Sequence, residues 1–185
     1  MHKPDVVHLT HFPTPLGPMT IASTERGVVA SSLPGSAREC VRRWLDRRLP
    51  RAEIMEGTGR NAPYVQAVRQ YLAGRSRTLD VPLDLRGTEF QKKVWTTLRR
   101  VPYGGTVGYG ELAERAGYPR AARACGTAHA NNPLPLFVPC HRTIAGDGGI
   151  GGFGGRLDLK RKLLELESRR GRGPEAGVRG RRPAR

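Results

Sequence analysis

The sequence predicts an α+β fold, in which a small N-terminal α/β domain packs on a mainly helical C-terminal domain holding a helix-turn-helix. Three observations predict it. Short extended pieces broken by turn residues fill positions 6–33. Stretches with apolar residues at helical spacing follow one another from position 88 onward. Arg86-Gly87 separates the two regimes, giving units 1–85 and 86–167 and a basic tail, 168–185, expected to be disordered.

The N-terminal pieces are VVHLTHF, MTIAST and VVASSL. Pro-Leu-Gly-Pro and Glu-Arg-Gly supply turns between them. Residues 36–49 predict a helix with Cys40, Val41, Trp44 and Leu45 on one side. Residues 50–62 are polar and mixed and predict a loop. The next helix, 63–73, has Pro63 at its first position and Gly74 after its end. TLDVPLDL then alternates like a strand or an extended linker.

Thr88 and Gln91 form a capping box in which each side chain can satisfy a backbone N–H of the helix start. The helix they open carries Phe90, Val94 and Leu98, with Trp95 beside them. Two short helices follow, 109–116 and 120–130, joined by the Gly117-Tyr118-Pro119 turn, a spacing that suits a helix-turn-helix. Arg120 and Arg123 are expected on one face of the second. A last helix, 157–167, carries Leu159, Leu163 and Leu166, with Glu165 and Glu167 in its final turn.

Across 185 residues, 32 Lys and Arg face 16 Asp and Glu, a formal charge of +16. The tail from 168 holds about +6 of this, so the body is basic without it. Such a charge points to an acidic partner, or to nothing beyond solubility. No apolar run approaches the roughly 20 residues that span a bilayer, so an integral membrane protein is not expected. The opening residues lack the apolar core of a secretory signal. Three scattered cysteines, Cys40, Cys125 and Cys140, argue against a disulfide framework, and the absence of a CxxC pair argues against structural zinc. No metal and no cofactor are expected.

The chemistry concentrates after Asn131-Asn132-Pro133. An apolar run, LPLFV, leads into Pro139-Cys140-His141-Arg142 and places Cys140 at the edge of a core. The adjacent His141 and Arg142 supply a base and positive charge, which favour the nucleophilic thiolate. A segment made mostly of glycine, Gly146 to Gly155, follows. It lacks the spacing of a phosphate-cradling loop, and Phe153 within it suits the wall of a pocket. A carboxylate late in the last helix opposes the helix dipole, so Glu165 or Glu167 is held there for another purpose, such as orienting His141.

Together these residues resemble the O6-alkylguanine-DNA alkyltransferases, the methylated-DNA–protein-cysteine methyltransferases. The resemblance runs from Gly87 to Glu167 and rests on Val-Pro-Cys-His-Arg joined to the helix-turn-helix, Asn-Pro and the glycine-rich loop. Thr14-Pro15-Leu16-Gly17-Pro18 extends it loosely upstream. It implies that Cys140 is the alkyl acceptor, that His141 deprotonates it through a water, and that Glu167 orients His141. Asn132 braces the active-site turn, and Tyr109 contacts the flipped nucleotide and helps to neutralise the leaving guanine. Arg123 is the finger that fills the gap in the duplex, with Arg120, Ala124 and Gly126 on the same DNA-facing helix. Phe153, Gly154, Val138 and Thr143 form the substrate pocket, and Pro139 and Arg142 are structural members of the motif. Phe153 stands where the family often has Tyr.

The implied function is single-turnover DNA repair by irreversible alkyl transfer from O6-alkylguanine, with O4-alkylthymine a possible second substrate. The implied partner is double-stranded DNA entered through the minor groove. A monomer in the bacterial cytosol or nucleoid, without membrane association, is expected. The alternative is a non-catalytic DNA-binding damage sensor or regulator of the same fold; a Cys–His hydrolase is a third reading.

Overall fold

The structure is a computed structural model, and it describes residues 4–146 and 148–171. Three N-terminal strands, β1 (Val6–Phe12), β2 (Met19–Thr24) and β3 (Gly27–Ser31), form an antiparallel meander. A fourth, β4 (Glu53–Glu56), adds to the free edge of β1 in parallel, giving the order β3-β2-β1-β4. This strand lies inside the segment expected to be a loop. It is short and mostly exposed, so its two apolar residues leave little pattern, and hydrogen bonding to β1 secures it.

Every residue of β2 and β3 is buried, with no alternation. The sheet is covered on both faces, which removes the exposed face that alternation would mark. On one face α1 (Glu39–Arg48) packs Val41 and Leu45 against Val7, Leu9, Ala22, Val29 and Ala30. The other face belongs to the main core, where Phe12, Met19, Ile21 and Val28 join α2 (Ala62–Leu72) and the C-terminal helices. One hydrophobic cluster thus runs through both halves of the chain.

Asn61 precedes α2 without capping it. Its side chain is spent inside the sheet, donating to His8 O and Thr10 Oγ1, both at 2.9 Å, and accepting from Ser23 Oγ at 2.6 Å. The TLDVPLDL segment makes a single bridge, Val28 to Leu83, rather than a strand. Its Pro82 carbonyl accepts from Val28 N, and Asp84 accepts from Thr24 Oγ1 and Arg86. Gly27 has φ +130°, and a side chain there would collide with Pro82.

The capping box forms as expected: Thr88 Oγ1 accepts from Gln91 N and Gln91 Oε1 accepts from Thr88 N. It opens α3 (Glu89–Leu98). Trp95, buried in this helix, donates its indole N–H to Ala128 O at 3.0 Å and ties α3 to the helix that carries Ala128. The C-terminal part continues through β5 (Val107–Gly108), α4 (Tyr109–Arg115), α5 (Ala122–Ala130), β6 (Thr143–Ile144) and α6 (Leu157–Gly171). Because α6 runs on to Gly171, Ser168–Gly171 is helical rather than part of a disordered tail. It also leaves Glu165 and Glu167 short of the last turn. The remainder of the expected tail, 172–185, lies outside the described residues.

Among the described residues, no helix is long and apolar enough to cross a membrane.

Candidate active site and nucleic-acid interface

The helix pair α4–α5 is present, but its turn is longer than the sequence suggested. Arg120 has φ 69° and sits in the connection, so it does not share a face of α5 with Arg123. A residue other than glycine in the left-handed region gives no sequence signal, so the helix starts at Ala122 rather than at the expected position 120. Arg123 and Ala124 are exposed in the first turn of α5. Phe90 of α3 packs edge-on against Tyr118 of the turn, centroids 4.8 Å apart, and holds the pair on the body.

From α5 the chain passes into a tightly built loop. Asn132 Nδ2 donates to Val138 O at 3.1 Å, and its Oδ1 accepts from Leu134 N at 2.9 Å. Asn132 therefore braces both ends of the segment before the cysteine. Leu136 in that segment has φ 73°, a conformation that persists only where its surroundings enforce it. Val138 N bonds to Leu134 O, and Cys140 N to Val138 O, both at 2.8 Å. Cys140–Arg142 then forms one 3-10 turn, and β6 follows at once. Pairing of β6 with β5 brings the start of α4, and with it Tyr109, beside the cysteine.

Cys140 lines a cavity of about 270 Å³. Tyr109, Gly126 and His129 of the helix pair form one wall, and Gly152, Phe153 and Gly154 form another. Leu33, Ala130, Asn132 and Pro135 complete it. Its size is at the small end for a ligand pocket and suits a single flat ring system with a short substituent. Val138 and Thr143, expected in the pocket, are fully buried behind this lining instead. Val138 accepts from Asn132, and the Thr143 hydroxyl bonds His129 Nε2 at 2.8 Å.

Behind the cysteine, His141, Arg142 and Glu167 are all buried. Glu167 is the hub. It receives His141 Nε2 at 2.7 Å, Arg142 Nε at 3.0 Å, the Arg142 Nη2 at 3.1 Å and the Gly104 amide at 2.8 Å. Tyr71 donates to it as well. Burial alone would raise the Glu167 carboxyl, but the bonds and charges of His141 and Arg142, with the Tyr71 hydroxyl, hold it well below the usual carboxylate range. An ionised carboxylate facing Nε2 fixes the proton on that nitrogen. Nδ1 is then the basic nitrogen, and it has no hydrogen-bond partner among the described residues. Burial pushes the His141 pKa down against the pull of Glu167, so the imidazole rests neutral.

Arg142 supplies no free charge to the thiol. Its guanidinium is committed to Glu167 and to Val101 O at 2.6 Å. Burial raises the Cys140 pKa, while a hydrogen bond from Asn132 and the charge of Lys160 pull it back. Lys160, buried in α6, is thus a positive charge that draws the Cys140 pKa down, although burial lowers its own pKa as well. Lys160 Nζ donates to Thr143 O at 2.6 Å and Gly152 O at 3.3 Å, joining the cysteine strand to the glycine-rich loop.

The sequence reading missed Tyr71, Lys160, His129 and Leu33, together with the lining residues Ala130, Pro135 and Gly152 and the Gly104 amide. Lys160 lies on the stripe of Leu163 and Glu167 at helical spacing, so a charge on an apolar face was visible there. His129 is locked, with Nδ1 at 2.8 Å from Cys125 O, Nε2 on Thr143 and its ring edge-on to Tyr109 at 5.2 Å. Tyr71 and Leu33 come from the N-terminal unit and carried no signal.

Residues 7–85 match the family described as 6-O-methylguanine DNA methyltransferase, ribonuclease-like domain, and residues 89–169 match its DNA binding domain. The chain is 40% identical over 167 residues to a methylated-DNA–protein-cysteine methyltransferase of Mycobacterium tuberculosis, covering 89% of this chain and 94% of the relative. It is 37% identical over 149 residues to an inducible one of Bacillus subtilis, covering 80% and 83%. The crystal structure of Mycobacterium tuberculosis OGT in complex with DNA superposes with a TM-score of 0.73 at 36% identity, covering 88% of this chain and 93% of that one.

Proposed function

Since the chain belongs to the 6-O-methylguanine DNA methyltransferase family, we propose that Cys140 accepts the alkyl group in front of the His141–Glu167 pair. The protein acts on DNA and repairs it by moving an alkyl group from O6-alkylguanine in the duplex to its own cysteine. The observation that carries the residue assignment is that Cys140 lines the same cavity as Tyr109, Phe153 and Gly154, while His141, next in the chain and bonded through Nε2 to Glu167, keeps a basic nitrogen without a hydrogen-bond partner among the described residues.

His141 Nδ1 takes the thiol proton through a water, and the Cys140 sulfur attacks the sp³ carbon on guanine O6. The S–C bond forms as the C–O6 bond breaks, and its electron pair moves onto O6. The proton returns to the guanine, aided by the Tyr109 hydroxyl, so neutral guanine departs. Lys160 steadies the thiolate while it exists. A thioether has no hydrolytic route back to the thiol, so each molecule reacts once.

The target carbon is inaccessible inside a stacked duplex, and the base must turn out into the cavity. Exposed Arg123, at the start of α5, is positioned to enter the gap left behind, and Ala124 and Gly126 give the helix a smooth face beside it. Arg120 reaches the DNA from the connecting turn, where it serves as a phosphate contact. Residues 86–167 hold the DNA-binding helices and the alkyl acceptor, and residues 1–85 serve mainly as a structural unit that lends Tyr71 and Leu33 to the site; the two separate family matches support that division. The place of action is the bacterial cytosol or nucleoid, where the substrate lies, and the working unit is a monomer.

Incubation with duplex DNA containing O6-methylguanine, followed by peptide mass analysis, tests the assignment. One CH₂ is expected on the Cys140 peptide and on no other. Cys140→Ser should bind the DNA and gain no mass. DNA binding by the wild type with no mass gain would instead favour a damage sensor of the same fold.

A further inference from the structure

The cavity that faces Cys140 has one lining residue from the N-terminal unit, Leu33. It is half-buried, and it packs against the main core. Its place is fixed from two sides. Ser31, two residues earlier, donates its amide to Pro133 O at 2.8 Å and its hydroxyl to Pro135 O at 3.1 Å. Those acceptors belong to the segment that carries the chain into Cys140, and Pro135 itself lines the cavity. On the other side, Ser32 N bonds Thr20 O, Ser32 Oγ accepts from Thr20 N, and Gly35 N bonds Pro18 O, each at 2.9 Å. The turn also meets the glycine-rich side of the site, since a Cβ on Gly35 would lie 3.5 Å from the Arg156 guanidinium.

Leu33 is therefore a preorganised apolar wall, not the tip of a free loop. It carries no group that could move a proton or bind guanine by hydrogen bonding. Its remaining effect on a ligand is steric and hydrophobic. A cavity of about 270 Å³ has little space beyond a flat base, so one isobutyl side chain governs what else fits.

We infer that Leu33 sets the size of the O6 substituent that the site accepts, which makes the N-terminal unit a determinant of specificity. The inference rests on the alkyl-transfer reading above and extends it to a residue outside the DNA-binding and acceptor half.

The test compares single-turnover transfer from duplexes carrying O6-methylguanine and O6-benzylguanine by the full chain and two variants. Adding or removing a methylene-sized volume in an apolar pocket changes discrimination by roughly ten-fold or more. Leu33→Ala is expected to raise the benzyl-to-methyl rate ratio by about ten-fold, and Leu33→Phe to lower it by a similar factor. Affinity for undamaged duplex should stay at the wild-type level in both. Unchanged rate ratios, with methyl transfer intact, overturn the inference and leave the repair reading standing. Should Leu33→Phe fail to fold, the Leu33→Ala ratio decides alone. Absence of methyl transfer by the wild type overturns the repair reading itself.

Discussion

Cys140 separates two regions built in opposite ways. Behind it, His141, Arg142 and Glu167 are ionisable or charged, buried, and joined by bonds of 2.7–3.1 Å. In front of it, the cavity is walled by Tyr109, Phe153, Pro135, Leu33 and the backbone of Gly152 and Gly154, with few charges. The difference follows from what each side must do. Proton handling needs one tautomer and one geometry, which buried charge pairs enforce at a desolvation cost. Admitting a planar base and an apolar substituent needs shape and few competing polar groups. Disturbance behind the cysteine should therefore cost stability and rate together, whereas disturbance in front should cost rate out of proportion to stability.

The strongest break in that comparison is Glu167→Gln. It leaves the Arg142 guanidinium buried without its counter-charge and frees the His141 tautomer. Removing one partner of a buried pair costs roughly 3–5 kcal/mol, so the denaturant midpoint should fall sharply and the transfer rate with it. Acid should reproduce part of this. The Glu167 pKa is depressed in the folded state, so its stabilisation is fully present above the unfolded carboxylate value of about 4.3 and is lost as pH falls through its folded value. Burial also depresses the folded His141 pKa, so its contribution has the same sign and begins to fade below the unfolded value of about 6.5. Melting temperature followed from pH 8 downward, at the ~0.1 M salt that screens surface charge, should decline from about 6.5 and more steeply below about 4.3. Glu167→Gln should flatten the steeper limb, leaving the share of the likewise depressed Asp84. A wild-type melting temperature flat across this window would show that the buried cluster does not control acid stability.

How much of this was legible in sequence depends on whether a residue's partners lie near it in the chain. Cys140, His141 and Asn132 sit in one local turn whose residue types expose their roles, and the family pattern selects Glu167 over Glu165. Thr88 and Gln91 likewise announce a helix start, because a cap is made by neighbours. Tyr71 reads as core among Val65, Val68 and Leu72, since nothing near it predicts a carboxylate 96 residues away. Positive charge near the thiol was attributed to adjacent Arg142, whereas the fold turns that side chain away onto Glu167 and brings Lys160 in from α6. Strand β4 escaped notice because its order comes from β1 rather than from its own pattern.

Tyr71→Phe sharpens the comparison with a smaller change to the same region. The hydroxyl is one donor to Glu167 among several, and its removal leaves His141, Arg142 and the Gly104 amide in place. A lost hydrogen bond to a charged group costs about 1–3 kcal/mol, and the surviving donors place this loss at the lower end. With less support, the Glu167 pKa should rise, moving the acid limb of the stability curve to higher pH. Transfer at neutral pH should fall by less than in Glu167→Gln. An acid limb that stays in place would remove Tyr71 from the cluster and leave the N-terminal unit without a part in proton handling.

Gly154→Ala probes the front with the smallest expected effect on stability. Gly154 has φ +56°, and a side chain there would meet nothing within 4 Å. Alanine pays about 1–2 kcal/mol for the left-handed conformation, while the stiffer unfolded chain returns about 0.4–1 kcal/mol. The net loss is then a few tenths to about 1 kcal/mol, no larger than that of Tyr71→Phe and far below that of Glu167→Gln. The new methyl nevertheless stands on the cavity wall, where the loop backbone would approach guanine O6. Transfer from O6-methylguanine should slow out of proportion to the change in melting temperature. If rate and stability fell in the same measure as for Tyr71→Phe, the two sides of Cys140 would not be separable, and the glycine-rich loop would be part of the same rigid cluster.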